Sequence, residues 1–164
     1  MMVTCVEAYL QDLLSAAAKI DIDLMGNSEQ VAKYGDVIAA DSLDGLAGDL
    51  RSRWARNWVA DGGPTRWIDR LRRMGAKKVP AHTAPALERL WGVRHVAVHN
   101  AGRATADFMK RHPGVVSSEG ERVRVGNGDI LAWVKLIGEF VDPIDSYFLA
   151  RYPSLLGDQE GAGR

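Results

Sequence analysis

An arginine and two histidines share one short segment near the middle of this chain, and their types suit chemistry on a phosphate. At about 100° per residue, a helix places His95 and His99 one turn apart on the same side, with Glu88 on the same ridge. Gly92 leaves a gap in that ridge, and the long stem of Arg94 can turn its guanidinium toward it. The helix would present a permanent cation beside two imidazoles, and histidine as a residue type titrates near neutrality.

Three hypotheses fit this cluster on spacing alone. A His-x-x-x-His pair can bind zinc, but no third ligand follows at a recognisable spacing and the intervening glutamate of metalloproteases is absent. We therefore expect no metal and no other cofactor. The second hypothesis is structural: two histidines with satisfied hydrogen bonds and a surface arginine. The third is phosphodiester chemistry, in which arginine neutralises a phosphate and a neutral histidine takes a proton from the attacking hydroxyl.

Hydrophobic periodicity predicts that helices position the cluster, and the predicted fold class is all-α, a bundle of about five to seven helices. Three of the predicted helices have both ends assigned, and they cover residues 42–60, 84–100 and 105–111. Four others are assigned by their starts: the first begins near Val3, the second at a cap at Ser28, the fourth at Pro64 and the last near Ile130. The last helix is expected to kink or restart at Asp142-Pro143. We expect one domain over residues 1–156, with an irregular or hairpin insertion near residues 113–127 and a disordered tail over residues 157–164.

For several side chains outside the cluster, the sequence context predicts a structural role or no role. Val93, Val96 and Ala97 lie opposite the histidine ridge and are predicted core residues, and Cys5 is a predicted buried residue of the first helix. The acidic pairs Asp21/Asp23 and Asp142/Asp145 lie at predicted helix boundaries, where capping explains them. His82 and His112 adjoin prolines in loops and are expected to be solvent-exposed, without a role.

Net charge is zero, with 21 basic and 21 acidic residues among 164, but the distribution is uneven. Residues 1–50 hold two bases and nine acids, whereas residues 51–94 hold eleven bases and three acids. Trp54, Trp58 and Trp67 are interleaved with the basic segment, which suits binding to a phosphate backbone and unstacked bases. The alternative is that the tryptophans fill the core. Under the first interpretation, the RNA-binding candidates are Arg70, Arg73, Lys77, Lys78 and Arg89.

Composition excludes several classes of protein. Hydrophobic residues make up 46% and charged residues 26%, as in a folded domain. No stretch is apolar enough to span a bilayer or to form a signal peptide, so no membrane partner is expected. A single cysteine excludes a disulfide framework, and a cytoplasmic location is predicted.

The segment Arg94-His95-x-x-x-His99-Asn100-x-Gly102 resembles the signature of the HEPN superfamily. That signature is an arginine, often followed by a polar residue, and then a histidine after four to six intervening positions. Here four positions separate Arg94 from His99, and His95 fills the polar position, where asparagine is frequent. An N-terminal helix of the Glu7-Ala8-Tyr9-Leu10 type and a closing Tyr152-Pro153 are also similar to stand-alone bacterial members.

The resemblance implies a HEPN-like bundle and a metal-independent endoribonuclease whose active site forms between the two protomers of a homodimer. His99 would activate the ribose 2′-hydroxyl for attack on the adjacent phosphate, and Arg94 would bind that phosphate. His95 would position the motif or the RNA, with Asn100 and Glu88 as supporting residues. The expected products are a 2′,3′-cyclic phosphate and a 5′-hydroxyl, from RNA and not from DNA.

Family analogy alone suggests the biological role of a toxin or an anti-phage defence effector, with an antitoxin or a fused or associated regulatory protein as a partner. Some members of the family have lost catalysis. The alternative is therefore a non-catalytic module that binds RNA, a nucleotide or a protein partner through the basic segment.

Overall fold

Seven α-helices and three short 3₁₀ turns account for most of residues 2–26 and 32–157, the part of the chain that this computed structural model describes. The helices are α1 (Met2–Ile20), α2 (Tyr34–Ala39), α3 (Leu43–Ala60), α4 (Gly63–Met74), α5 (Ala84–His99), α6 (Ala106–Arg111) and α7 (Asn127–Arg151). No strand occurs within these ranges, so the predicted all-α class is confirmed.

Local sequence signals set several helix ends as predicted. The Ser42 hydroxyl accepts from the backbone N–H of Gly45 at 3.0 Å at the start of α3, and the Thr105 hydroxyl caps α6 in the same way. Pro64 stands in the first turn of α4, where its missing N–H costs no hydrogen bond. Gly75 ends α4 at φ +115°, a left-handed conformation that side-chain-bearing residues rarely adopt.

One predicted helix boundary differs from the structure, and a second is not tested. The predicted cap at Ser28 lies outside the described residues, and α2 begins at Tyr34. At Asp142-Pro143 the predicted restart is wrong, because α7 runs unbroken to Arg151 with Pro143 inside it, whereas the alternative of a kink stays a prediction.

The two acidic pairs also have different outcomes. Asp21 caps the 3₁₀ turn that follows α1, as expected. Asp145 lies in the middle of α7 and is not a cap. Its carboxylate accepts a hydrogen bond from the Tyr9 hydroxyl at 2.6 Å, which joins α7 to α1.

The main core is shared by α1, α3, α4, the first half of α5 and the second half of α7. Leu10, Leu14, Leu71 and Phe140 are completely buried in it. The interpretation of the tryptophans as core residues is confirmed for Trp54 and Trp67, which are 6% and 1% exposed. Their burial removes the rings of Trp54 and Trp67 from any nucleic-acid surface.

A second, smaller core lies under the insertion, where Val93 and Val96 of α5 meet Phe108 of α6. The hairpin alternative for the insertion is wrong, because residues 113–127 form no pair of strands and the backbone bond within them, from Glu121 to Ser118, closes only a turn. Residues 120–123 instead bond to residues 102–104, around an isolated antiparallel bridge between Arg103 and Arg122. α5 therefore packs against both cores, which fix the position of the helix that carries the two histidines.

Two predictions of burial are wrong. Cys5 and Ala97 are exposed, because the buried stripe of α1 passes through Val6 and Leu10 and that of α5 through Val93 and Val96. Within residues 2–26 and 32–157, no helix is long and apolar enough to cross a membrane. Of the predicted tail, residues 158–164 lie outside the described ranges.

Candidate functional site

The second half of α5 borders a cleft of about 510 Å³ whose other walls are the start of α4 and the end of α6. Its charged and titratable lining residues are Glu88, Arg94, His95, Arg111 and His112. The backbone of Gly62 and Gly63 lines the opposite side. The cleft is thus formed by three segments that lie far apart in the sequence, with two guanidinium groups, two imidazoles and one carboxylate.

The two predicted histidines lie together at the end of α5. The ring centroids of His95 and His99 are 4.7 Å apart, as their spacing of one helical turn predicts. Both side chains are exposed, and His99 is the last residue of the helix. His95 lines the cleft with Arg94, whereas His99 is not among the lining residues. The ridge therefore extends from inside the cleft to its outer edge.

Asn100 and Gly102 form the stop that ends α5. Both backbone N–H groups donate to the carbonyl of Val96 at 3.0 Å, and Gly102 adopts φ +75°. The structure thus shows how the Asn100 backbone ends α5, and the supporting role predicted for Asn100 stays a prediction.

Glu7 of α1 holds the guanidinium side of the site. Its Oε1 accepts from the indole N–H of Trp91 at 3.0 Å, and its Oε2 lies 3.9 Å from Nη2 of Arg94. The Trp91 ring meets Trp67 edge to face, with centroids 5.1 Å apart. The Arg94 side chain is 34% exposed, so it is oriented from behind while remaining accessible. Sequence reasoning missed Glu7 in this role because 84 positions separate it from Trp91.

Glu88 of α5 binds to the α4 wall of the cleft. Its Oε1 accepts from the backbone N–H of Thr65 at 3.0 Å, in the first turn of α4. A carboxylate at a helix N-terminus satisfies a free N–H group and complements the helix dipole. Glu88 therefore shares the ridge with the histidines, as predicted, but its hydrogen bond fixes α4 against α5.

His112 is half-buried, so the prediction that it is solvent-exposed is wrong. Its half-buried ring fills the gap left by Gly92, where a β-carbon would overlap Nε2, and its centroid is 5.0 Å from that of Phe108. Burial lowers the pKa of His112 below its usual 6.5, and the nearby Arg111 adds to the effect, while Glu88 opposes it. The gap at Gly92 was visible in the sequence, but the ring that fills it was not.

Arg70 is largely occupied within the fold. Its guanidinium donates to the backbone carbonyl of Trp58, pairs with the Asp61 carboxylate and lies 5.5 Å from the Trp58 ring centroid. The hydrogen bond from Arg70 lowers the pKa of Asp61 below its usual range. These contacts join α3 to α4, so Arg70 has an internal role beside its predicted one.

The other RNA-binding candidates divide between two surfaces. Arg73 and Lys77 line a shallow depression at the end of α4, and Lys78 is exposed beside them. Arg89 points to the other side of α5, into a pocket shared with Arg124 and α7. None of the five RNA-binding candidates therefore lines the histidine cleft.

No group of three His, Cys, Asp or Glu side chains with metal-binding geometry occurs in residues 2–26 or 32–157. Comparisons with protein-family models, with curated proteins and with solved structures found no match to this chain. The fold and the site therefore define an all-helical protein with an arginine–histidine cleft, and its function has to be argued from that cleft.

Proposed function

We propose that the protein is a HEPN-like, metal-independent endoribonuclease. The observation that carries the proposal is the grouping of Arg94 with the adjoining rings of His95 and His99 on one accessible edge of α5. A guanidinium can bind a phosphate in two-pronged fashion and stabilise the charge that develops on it. An imidazole within reach can move the proton of a ribose hydroxyl.

The proposed reaction needs no metal ion. His99 takes the proton of the 2′-hydroxyl, the 2′-oxygen attacks the adjacent phosphorus, and Arg94 holds the phosphate while the bond to the 5′-oxygen breaks. His95 orients His99 or the RNA. The products are a 2′,3′-cyclic phosphate and a 5′-hydroxyl, and DNA is not cleaved because it lacks the attacking group.

The position of His99 at the outer edge of the cleft favours a site completed by a second copy of the chain. Val98, the neighbouring residue, is apolar and 62% exposed. A homodimer in which the ends of two α5 helices face each other would cover Val98 and bring two His99 side chains to one substrate. A role as a toxin or defence effector in the cytoplasm, controlled by an antitoxin or regulatory partner, extends the same proposal.

The first test is incubation of the purified protein with mixed RNA in EDTA. Wild-type protein is expected to cleave RNA and leave 2′,3′-cyclic phosphate ends, with a DNA control left intact. His99→Ala and Arg94→Ala should each lower the rate at least about 10²-fold, the low end for a positioned acid–base group. His82→Ala is the matched control, because His82 is exposed and does not line the cleft. Equal rates for wild type and His99→Ala would overturn the proposal.

A second candidate is a non-catalytic binding module, and the ion pair between Glu7 and Arg94 favours it. A guanidinium already neutralised by a carboxylate binds phosphate less strongly than a free one. Under this alternative the exposed Arg73, Lys77 and Lys78 carry RNA binding. Affinity for RNA would then fall steeply with salt and would be unchanged in His99→Ala.

A further inference from the structure

His112 occupies the one position in the cleft that the α5 ridge leaves open. Its ring lies against the backbone of Gly92, less than one helical turn from His95, and lines the same cleft as Arg94 and His95. His112 follows the end of α6, where its backbone N–H donates to the backbone carbonyl of Phe108 and its ring packs on the Phe108 ring. The ring is therefore held on one side and open to the cleft on the other.

We propose that His112 is a catalytic residue of the proposed ribonuclease and protonates the leaving 5′-oxygen. This inference rests on the proposed function. His112 would be a second proton-transfer group from the same protomer as Arg94. It lies outside the segment Arg94–Gly102.

The proton balance of the reaction requires an acid as well as a base, and this assignment gives the acid role to His112 rather than to a second His99. As the bond between the 2′-oxygen and phosphorus forms, His99 takes the hydroxyl proton and becomes an imidazolium. As the bond between phosphorus and the 5′-oxygen breaks, the His112 imidazolium gives a ring N–H proton to that oxygen and becomes neutral. Exchange with water restores both imidazoles, so no oxidant, metal or other reactant is consumed.

Charges around the ring make its protonation depend on the substrate. Burial is the main cause that lowers the pKa of His112, and the charges of Arg111 and Arg89 lower it further, whereas the Glu88 carboxylate raises it. Arg94 and His95 share the cleft, and the α4 wall brings no titratable side chain among the residues lining it. A bound phosphate adds a negative charge at this point and raises the pKa of His112, so the acid is charged when substrate is present.

A leaving-group comparison tests the assignment. The two substrates are a uridine–adenosine dinucleotide, whose 5′-oxygen needs a proton to leave, and uridine 3′-(4-nitrophenyl phosphate), whose nitrophenolate leaves without one. His112→Ala is expected to slow the dinucleotide at least about 10²-fold and the nitrophenyl ester less than about tenfold. His99→Ala should slow both, because both need the 2′-hydroxyl deprotonated.

The outcomes separate the two proposals. Wild-type protein that cleaves neither substrate overturns the ribonuclease function and this role with it. Wild-type cleavage of both, with His112→Ala slowing both equally or neither, overturns the His112 assignment alone. Activity of His112→Ala on the nitrophenyl ester also shows that the variant is folded.

A second variant moves His112 without replacing it. Gly92→Ala places a β-carbon where the ring now lies, so the imidazole must leave its position against α5. We expect Gly92→Ala to reproduce the selective loss of dinucleotide cleavage. Gly138→Ala on α7 is the matched control, since nothing lies within 4 Å of its added β-carbon. Dinucleotide cleavage at the wild-type rate in Gly92→Ala would contradict the role of His112.

A pH profile gives an independent readout. An acid must be protonated, so dinucleotide cleavage falls as pH rises through the pKa of His112. Because that pKa is lowered in the free protein, the alkaline limb of kcat/KM for the dinucleotide is expected below pH 6.5. The nitrophenyl ester should keep its activity at higher pH. Identical alkaline limbs for the two substrates would rule against the assignment.

Discussion

At the residue scale, Asp21 shows how one carboxylate joins the two ends of the described chain. It accepts a hydrogen bond from the Tyr152 hydroxyl at 2.6 Å, and its Oδ2 lies 3.3 Å from Nη2 of Arg151. The bond from Tyr152, with help from Arg151, lowers the pKa of Asp21 below its usual 3.8. The segment after α1 is thereby held against the end of α7.

This contact predicts a specific acid sensitivity. The native state binds fewer protons than the unfolded chain near the lowered pKa, so the stabilisation is present above pH 3.8 and is lost as pH falls through the folded value. Asp21→Asn should lower Tm at pH 6 and flatten its dependence on pH in the acid range, followed by circular dichroism. Asp12→Asn, on α1, serves as the control. Parallel curves for wild type and Asp21→Asn would contradict the prediction.

At the element scale, α7 buries one face and exposes another. Phe140 is fully buried, whereas Leu131, in the first half of the same helix, is 71% exposed. Phe140→Ala should therefore lower the free energy of unfolding by about 3–5 kcal/mol through lost burial and the cavity left behind. Leu131→Ala, the matched control, should change it by less than about 0.5 kcal/mol. Urea unfolding measures both, and similar losses for the two variants would contradict the prediction.

At the scale of the whole molecule, the proposed dimer depends on the exposed end of α5. Val98→Asp puts a charge beside His99, where the second copy would pack, and burying an unpaired charge is costly. We expect Val98→Asp to be monomeric in sedimentation equilibrium and to lose RNA cleavage at least about 10²-fold while remaining folded. Val37→Asp makes the same change at an exposed valine of α2 and should alter neither property. A monomeric wild-type protein that cleaves RNA would exclude the interface.

The all-α class, most helix boundaries and the shared ridge of His95 and His99 follow from local sequence alone. These features depend on signals within a few residues, such as the Ser42 cap, Gly75 beyond α4 and the period of an α-helix. A one-turn spacing brings two rings together whatever the rest of the fold does. That part of the candidate site was predictable for this reason.

The surroundings of that ridge, in contrast, depend on the tertiary structure. It placed His112 over Gly92 and Glu7 beside Arg94, and it enclosed Trp67 in the core. It also kept α7 continuous through Pro143, against the local signal. Such contacts depend on how helices distant in the chain pack, and burial of apolar surface, summed over many residues, outweighs any single local preference.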